Sequence, residues 1–370
     1  MKTNRREIFF RCGALLAVLL GIAVCVWGSG PLLTPKWLDD REWEPASEIM
    51  AGFYAEPDDT LDILFLGSSH VFCGVNPLCI FDETGLRSYD LASGLQRAWV
   101  SYYYLLEALK TQKPSLVVLD TSELFDDENN TEPRNRMAFD YMHPSSVKWK
   151  AVAASAQPEE SLVSYLFPSI RYHERIFDLS GKDFEWVLRK NHRNYLHGYR
   201  FEYMDRTARV SFAECDKTAS APEGIWNPGS KSKSYLDQMV EFCRKNRTEL
   251  VLVTIPTTAG WGWPEHCRIR DYAEEKGLKY YDFNTEIQEI GLSPTSDFYD
   301  AAHLNIRGAA KFSRYLGRKL RDDFALAGNG DLGFSGWKDD YSVFHGKSGL
   351  YAAKGDRFAD WNAWRADGLR

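Results

Sequence analysis

Residues 63–77 read ILFLGSSHVFCGVNP, and this stretch decides the fold. Its first four residues are apolar, a run too short for a helix but typical of a strand buried inside a parallel sheet. The run passes directly into Gly67-Ser68-Ser69, which predicts a tight turn that exposes a hydroxyl group at the carboxyl edge of the sheet, where ligands and catalytic groups collect. In the alternative interpretation, these three residues only end the strand and cap the next helix.

A second segment near the other end of the chain gives the serine turn a possible partner. Residues 297–305 read DFYDAAHLN and precede an amphipathic helix pattern over residues 306–321. Asp300 stands three residues before His303, a spacing at which a carboxylate can orient an imidazole and stabilise its protonated form. The other ring nitrogen is then free to accept a proton from a serine. The spacing is common by chance, so its meaning depends on the pairing with the serine turn.

Together the two segments resemble the SGNH/GDSL hydrolase superfamily, over about residues 60–322. The resemblance implies a three-layer α/β/α sandwich with a central parallel sheet, in which Ser69 is the nucleophile and Asp300 and His303 complete the catalytic triad. The second block of the family supplies a glycine whose N–H helps to form the oxyanion hole, and Gly94 matches that glycine here. No metal and no organic cofactor is implied.

The third block departs from the family pattern, which usually reads Gly-x-Asn-Asp and supplies an asparagine to the oxyanion hole. The corresponding residues 116–123 read LVVLDTSE and contain no asparagine. Ser122 or Thr121 could donate instead, but loss of one good donor costs about 10²–10³ in rate, which argues against fast hydrolysis. The Gly-Ser-Ser form is similar to membrane-tethered branches that handle acyl groups on cell-envelope polymers, such as the teichoic-acid D-alanylation and polysaccharide O-acetylation proteins.

Composition limits the classes of function. The chain has 370 residues, of which 44% are hydrophobic and 26% are charged, as expected of an ordered globular protein. Its net charge of −7 argues against nucleic acid as the main partner, because phosphate binding needs a basic surface. The seven cysteines show no Cys-x-x-Cys pair and no zinc-site spacing, so we expect no structural metal.

The N-terminal segment, residues 1–34, is expected to anchor the protein in the cell membrane. Three basic residues precede an apolar stretch from Phe9 to about Leu33, which is long enough to cross a hydrocarbon core of about 30 Å. The positive charges predict a cytoplasmic N-terminus, so the catalytic domain would be extracytoplasmic on a single-pass anchor. A cleaved signal peptide is the alternative, although no convincing Ala-x-Ala cleavage site follows.

Strand and helix patterns alternate in the rest of the chain and predict an α/β fold with a parallel sheet. Further strands are predicted at residues 86–91, 116–119, 249–255 and 279–283. We predict a juxtamembrane linker over 35–60, an α/β domain over 61–324 with a mainly helical insertion at about 126–228, and an aromatic tail over 325–370.

The insertion and the tail have several possible uses. We expect the insertion to cap the catalytic edge, where its Lys and Arg side chains could hold an anionic or sugar-bearing polymer. They could instead pair with neighbouring acids on a solvated helical cap. The aromatic tail is expected to wrap around the surface of the domain.

Three other side chains are candidates for contact with a substrate. His70 directly follows the proposed nucleophile, and Trp261 and Trp263 stand in a Gly/Trp loop after the strand at 249–255. Aromatic rings can stack on sugars, but most tryptophans simply fill cores, so both uses are open for this pair.

These observations predict a membrane-anchored extracytoplasmic serine esterase or O-acyltransferase that acts on acylated cell-envelope polysaccharides or polymers. Ser69 would attack the acyl carbonyl, His303 would act as base and then as acid, and Asp300 would orient His303. The N–H groups of Ser69 and Gly94 and the hydroxyl of Ser122 would bind the oxyanion. The alternative function is a catalytically weak glycan-binding or scaffold subunit that assists a membrane-bound acyltransferase.

Overall fold

The computed structural model describes residues 5–36, 46–201, 230–259, 261–328 and 336–354. Parts of the predicted insertion, at 202–229, and of the predicted tail, at 329–335 and 355–370, lie outside the described residues.

A five-stranded parallel sheet stands at the centre of the fold, in the order β2-β1-β3-β4-β5. Its strands are β1 (Ile63–Gly67), β2 (Ser88–Ala92), β3 (Leu116–Asp120), β4 (Glu249–Thr254) and β5 (Lys279–Asp282). Ile63 pairs with Ser88 on one side and with Leu116 on the other, so β1 is an inner strand. Every residue of β1 is buried, which explains its uninterrupted apolar run. The predicted α/β/α sandwich is confirmed.

Helices flank the sheet and follow most of its strands. In chain order they are α1 (Arg5–Leu33), α2 (Ala46–Ala55), α3 (Ser69–Gly74), α4 (Pro77–Thr84), α5 (Ala98–Ala108), α6 (Glu132–Phe139), α7 (Ser146–Ser155), α8 (Leu162–Leu166), α9 (Pro168–Tyr172), α10 (Gly181–Leu188), α11 (Lys231–Asn246), α12 (Trp263–Lys276), α13 (Ile287–Ile290), α14 (Ile306–Asp323) and α15 (Gly336–Lys354). Short 3₁₀ turns occur at His173–Phe177 and Phe283–Thr285. One group of helices, α3, α4, α14 and α15, packs together, and a second group consists of α5, α7 and α11.

Helix α14 has a well-defined start and a fully buried apolar face. The side-chain oxygen of Asn305 accepts hydrogen bonds from the N–H groups of Arg307 and Gly308, at 3.0 and 3.1 Å, and so caps the first turn. Phe312 and Leu316 are inaccessible to solvent, and each contributes about 1.5–3 kcal/mol to folding by its burial. The cap and this face fix where the chain just before α14 must lie.

Part of the segment predicted as a linker is helical. Residues 46–55 form α2, which packs on β2 through Ile49 and Phe53. The Tyr89 hydroxyl of β2 donates a hydrogen bond to the carbonyl oxygen of Ile49, at 2.7 Å. The sequence prediction missed this helix because a ten-residue amphipathic segment carries little periodic signal, and its stability comes from the packing on β2.

The outer edge of β2 is covered by a loop, residues 194–201, that belongs to the predicted insertion. The Asp90 N–H donates to the carbonyl oxygen of His197 at 2.9 Å, and Gly198 approaches so closely that a Cβ atom there would lie 2.2 Å from the Asp90 oxygen. His197 is buried, lies 2.8 Å from Glu56 and stacks on Trp337 of α15 at 3.5 Å between ring centroids. The loop therefore joins α2, β2 and α15.

The middle of the insertion lies against α1. The Ser169 hydroxyl of α9 donates to the carbonyl oxygen of Val26 at 2.6 Å, and the Arg175 guanidinium donates to that of Leu33 at 2.6 Å. The sequence led us to expect a cap over the catalytic edge, but α8–α10 make these contacts with the end of an apolar helix. Residues Phe9–Leu33 of α1 are long and apolar enough to span a membrane, and the most apolar window is not buried in the protein. A signal sequence would share these properties.

Candidate active site

The turn after β1 presents Ser69 at the carboxyl edge of the sheet. Gly67 is required there, because a Cβ atom would lie 2.6 Å from side-chain carbons of both Asp120 and Val71. The Ser68 side chain turns inward and caps α3 by accepting a hydrogen bond from the His70 N–H, at 3.3 Å. Ser69 is the first residue of α3 and remains partly exposed.

The loop before α14 holds the aspartate and the histidine in one rigid unit. An antiparallel bridge between Phe298 and Leu304 closes the loop. One carboxylate oxygen of Asp300 accepts hydrogen bonds from the N–H groups of Ala302 and His303, at 2.7 and 2.8 Å. The spacing of three residues therefore allows the loop to turn back so that the carboxylate meets the imidazole of His303.

The structure brings Ser69, His303 and Asp300 together in a continuous hydrogen-bonded line. The Ser69 Oγ lies 2.7 Å from His303 Nε2, and His303 Nδ1 lies 2.8 Å from Asp300 Oδ2. Burial raises the pKa of the Asp300 carboxyl, but hydrogen bonds and the charge of His303 outweigh burial and hold the pKa below its usual value. Asp300 is therefore ionised, which favours the tautomer with the proton on Nδ1 and leaves Nε2 to accept the serine proton.

His70 lies beside this line as a neutral ring. Its centroid is 5.2 Å from that of His303, and its Nδ1 is 4.0 Å from an oxygen of Asp120. Burial, together with the charge of His303, lowers the pKa of His70 to about 3. Because it stays uncharged near neutral pH, His70 does not repel a positive charge that forms on His303.

The end of β3 forms a second cluster of polar groups, which includes Ser122, the residue predicted as an oxyanion donor. Its hydroxyl donates to the Asp120 carboxyl and lies 3.0 Å from the Ser68 Oγ. A serine hydroxyl has one proton to donate, so in this geometry none is left for a substrate. The Thr121 hydroxyl is similarly paired with Thr254, at 2.7 Å. The geometry thus lends no support to a third oxyanion donor from this strand end.

Gly94 stands in a buried turn that follows β2, the neighbour of β1. The adjacent Ser93 N–H reaches the Gly67 carbonyl oxygen at 3.4 Å, which joins this turn to the serine turn. Asn130, which the sequence analysis did not single out, donates its side-chain amide to the Leu95 carbonyl oxygen at 2.8 Å. It braces the turn from the start of the insertion, and no local sequence pattern reveals that contact.

The two tryptophans occupy different environments. Trp261 is buried and its ring N–H donates to Asp282 at 2.9 Å, so its faces are used in packing. Trp263 is partly exposed and stacks on His266, with ring centroids 4.4 Å apart. Their loop does reach the candidate site, because the Thr258 N–H donates to the carbonyl oxygen of Ala301, at 3.0 Å.

A cavity of about 590 Å³ lies elsewhere, between the end of α1, α2 and the insertion. It is lined by Trp27, Tyr54, Lys148 and Trp186 among others, and none of its lining residues belongs to the Ser69 line. Within the described part of the chain, no group of His, Cys, Asp and Glu is arranged to hold a metal ion.

Comparisons with known proteins give little further guidance. No protein-family model and no curated protein matches the chain. It is similar to a crystal structure from Bacteroides fragilis described as a "putative acylhydrolase", at 13% identity and a TM-score of 0.36, over 76% of this chain and 100% of that one. It is also similar to a gut microbial diltiazem-metabolizing enzyme, at 12% identity and a TM-score of 0.25, over 70% of this chain and about half, 47%, of that one. At these values neither likeness carries weight for the function.

Proposed function

We propose that this chain is a serine esterase or O-acyltransferase of the SGNH/GDSL type, with Ser69, His303 and Asp300 as its catalytic residues. The observation that carries the proposal is the hydrogen-bonded line from Ser69 Oγ through both nitrogens of His303 to the Asp300 carboxylate, with distances of 2.7 and 2.8 Å. Residues 234 positions apart in the chain have no local reason to meet in this order.

The proposed reaction begins when Ser69 Oγ attacks the carbonyl carbon of an ester and its proton passes to His303 Nε2. Asp300 stabilises the imidazolium that forms. The oxyanion is held by the N–H of Ser69, with Gly94 as the second proposed donor. The intermediate collapses, the alcohol leaves with the proton from His303, and the acyl group remains on Ser69. Attack by water then completes hydrolysis, and attack by a hydroxyl of an acceptor completes transfer.

The end of β3 favours slow turnover on small esters. With Ser122 paired to Asp120, two donors would hold the oxyanion where the family uses three. A polymer that makes further contacts in the transition state could compensate, because only such interactions raise kcat. Acylated polysaccharides or polymers of the cell envelope are therefore the proposed substrates.

The apolar helix α1 supports a place for the reaction at the membrane. We propose that α1 is an uncleaved single-pass anchor with its N-terminus in the cytoplasm, so that the catalytic domain faces the cell envelope. No cofactor is needed for the proposed chemistry.

A second candidate function is a glycan-binding or scaffold subunit beside a membrane-bound acyltransferase, which the paired state of Ser122 favours. Labelling of the full-length chain in detergent by a fluorophosphonate probe distinguishes the two. An enzyme with the proposed triad is labelled on Ser69, and the Ser69→Ala variant is not. If the wild-type protein remains unlabelled, the enzymatic function is rejected and the scaffold function is retained.

A further inference from the structure

The middle of the insertion exposes an unusual amount of apolar surface. Among the described residues outside α1, ten large apolar side chains are exposed, and seven of them fall between residues 163 and 188. We name these seven side chains the apolar collar; they are Val163, Ile170, Ile176, Phe177, Phe184, Val187 and Leu188. A concentration of this kind marks a contact surface for lipid or protein.

The collar is fixed to the last two turns of α1. Trp27 of α1 packs edge-on against Phe167, with ring centroids 5.8 Å apart. Ser29 and Ser169 share a hydrogen bond between their hydroxyl groups, at 2.9 Å. The position of the collar relative to a membrane is therefore set by the position of the C-terminal end of α1.

Polar groups of the same segment are divided between the interior and the surface. Asp183 of α10 is buried and bonds to the Arg175 guanidinium at 3.0 Å, while Phe184 and Leu188 of the same helix face outward. Lys182 and Glu185 of α10 are exposed beside these apolar side chains. A surface that mixes exposed apolar and charged side chains suits the boundary between headgroups and acyl chains, where the apolar groups enter the lipid and the charged groups stay in water.

The main-chain carbonyl groups at the end of α1 accept hydrogen bonds from side chains of the protein. The buried Lys36 ammonium donates to the main-chain oxygens of Pro31 and Thr34, at 2.6 and 2.7 Å, and Arg175 donates to that of Leu33. Water can satisfy the last carbonyl groups of a helix that ends in solvent. Internal donors for these groups suit a helix end to which water has little access.

We propose that the apolar collar is embedded in the lipid interface around the point where α1 leaves the bilayer. The proposal rests on α1 as a membrane anchor. The 25 residues of Phe9–Leu33 extend about 37 Å at 1.5 Å per residue, somewhat more than a hydrocarbon core of about 30 Å. The last turns of α1 and the side chains docked on them therefore lie at the boundary between headgroups and acyl chains.

Charge favours lipid over a protein partner as the occupant of this surface. Residues 162–190 contain five basic and four acidic residues, so the segment has almost no net charge. Arg171 pairs with Glu132 and Arg175 pairs with Asp183. The other charges of the segment are three basic and three acidic, so they offer no net charge for a specific partner to recognise. The apolar contact alone holds the collar in the interface, and we expect it to be insensitive to the fraction of anionic lipid.

Photocrosslinking in the full-length protein tests the proposal. The photoreactive residue p-benzoylphenylalanine replaces Phe177 or Leu188, which are 89% and 77% exposed, so that the fold is not disturbed. Leu16 inside α1 is the positive control, and Val343 on α15, an exposed apolar residue outside the collar, is the matched negative control. The proteins are reconstituted in phosphatidylcholine vesicles, with and without phosphatidylglycerol, that contain an alkyne-tagged phospholipid.

We expect lipid adducts at positions 16, 177 and 188, roughly ten-fold above position 343, in both lipid mixtures. Adducts at position 16 alone would show that α1 is in the membrane but that the collar is not embedded in lipid. Adducts at none of the four positions would overturn both. Crosslinks from 177 or 188 to another protein, or to a second copy of the chain, would assign the surface to that partner and reject the lipid. None of these outcomes depends on esterase activity.

Discussion

Two neighbouring clusters at the carboxyl edge of the sheet contain the same kinds of groups in opposite states. In one, Ser69 and Asp300 are partly exposed and joined by His303, and Asp300 is ionised. In the other, the hydroxyls of Ser68 and Ser122 converge on the buried Asp120 carboxyl, whose pKa burial raises to about 6. In the first cluster an imidazole lies between the hydroxyl and the carboxylate, which is the arrangement that the proposed catalysis needs. In the second cluster the two hydroxyl groups pair directly with the carboxylate.

The sharpest test of this difference exchanges each serine for alanine. Ser69→Ala is expected to abolish fluorophosphonate labelling and hydrolysis of p-nitrophenyl acetate, because no other hydroxyl contacts His303 in the described structure. Its Tm should not change. Ser68→Ala should keep most of the labelling but lose about 1 kcal/mol of stability with the cap of α3. Labelling that persists in Ser69→Ala and disappears in Ser68→Ala would reverse the assignment of the two clusters.

The two carboxylates should differ almost as strongly as the serines. Asp300→Asn replaces the acceptor-only carboxylate, which fixes the tautomer of His303 and stabilises its protonated form, by an uncharged amide that can also donate. We expect kcat to fall by about 10⁴. Asp120→Asn, the matched control, leaves the triad residues unchanged. It should keep kcat within about ten-fold, because Asp120 is hydrogen-bonded to Ser68 and Ser122 and not to a triad residue in the described structure. Steady-state kinetics of the purified full-length chain measures both. Equal losses would mean that the second cluster takes part in catalysis.

Asp120 should also give stability a distinctive dependence on pH. Burial raises the pKa of Asp120 from about 3.8 to about 6, so the folded protein holds this proton more tightly than the unfolded chain. The contribution is fully present below pH 4 and is lost as pH rises through 6. A difference of two units corresponds to roughly 3 kcal/mol, and Asp120→Asn should remove that part of the slope. Urea unfolding of both proteins at pH 4 and pH 7 measures it, and parallel profiles would contradict the buried acid.

The smallest effect is expected from Ser122→Ala. If Ser122 donates to the oxyanion, as the sequence predicts, kcat falls by about 10²–10³. In the geometry described above its hydroxyl donates to the Asp120 carboxylate, so we expect kcat to change by less than about three-fold, with a further rise in the pKa of Asp120. The rate of p-nitrophenyl acetate hydrolysis, compared with that of Thr121→Ser as a control, decides between the two. A large loss would show that Ser122 turns toward the substrate during turnover.

The sequence predicts those features that repeat along the chain or depend on few positions. The apolar runs of β1 and β3 and the buried face of α14 follow from periodicity. The expected pairing of Ser69 with His303 follows from the resemblance to the SGNH/GDSL superfamily. The hydroxyl direction of Ser122 could not be predicted, because it depends on Asp120 and Ser68 meeting across two strands. The exposure of the apolar side chains of α10 could likewise not be predicted, because the sequence does not show that Asp183 lies on the buried face of this helix.

The covered edge of β2 has a consequence for how copies of this protein behave when they are crowded together. An open outer strand offers its N–H and C=O groups to the sheet of another molecule and can start chain-to-chain polymerisation. Here the His197 carbonyl oxygen already occupies the Asp90 N–H, and the closeness of that approach depends on the missing side chain of Gly198. The same loop that ties α2 to α15 thus blocks the addition of another strand along β2.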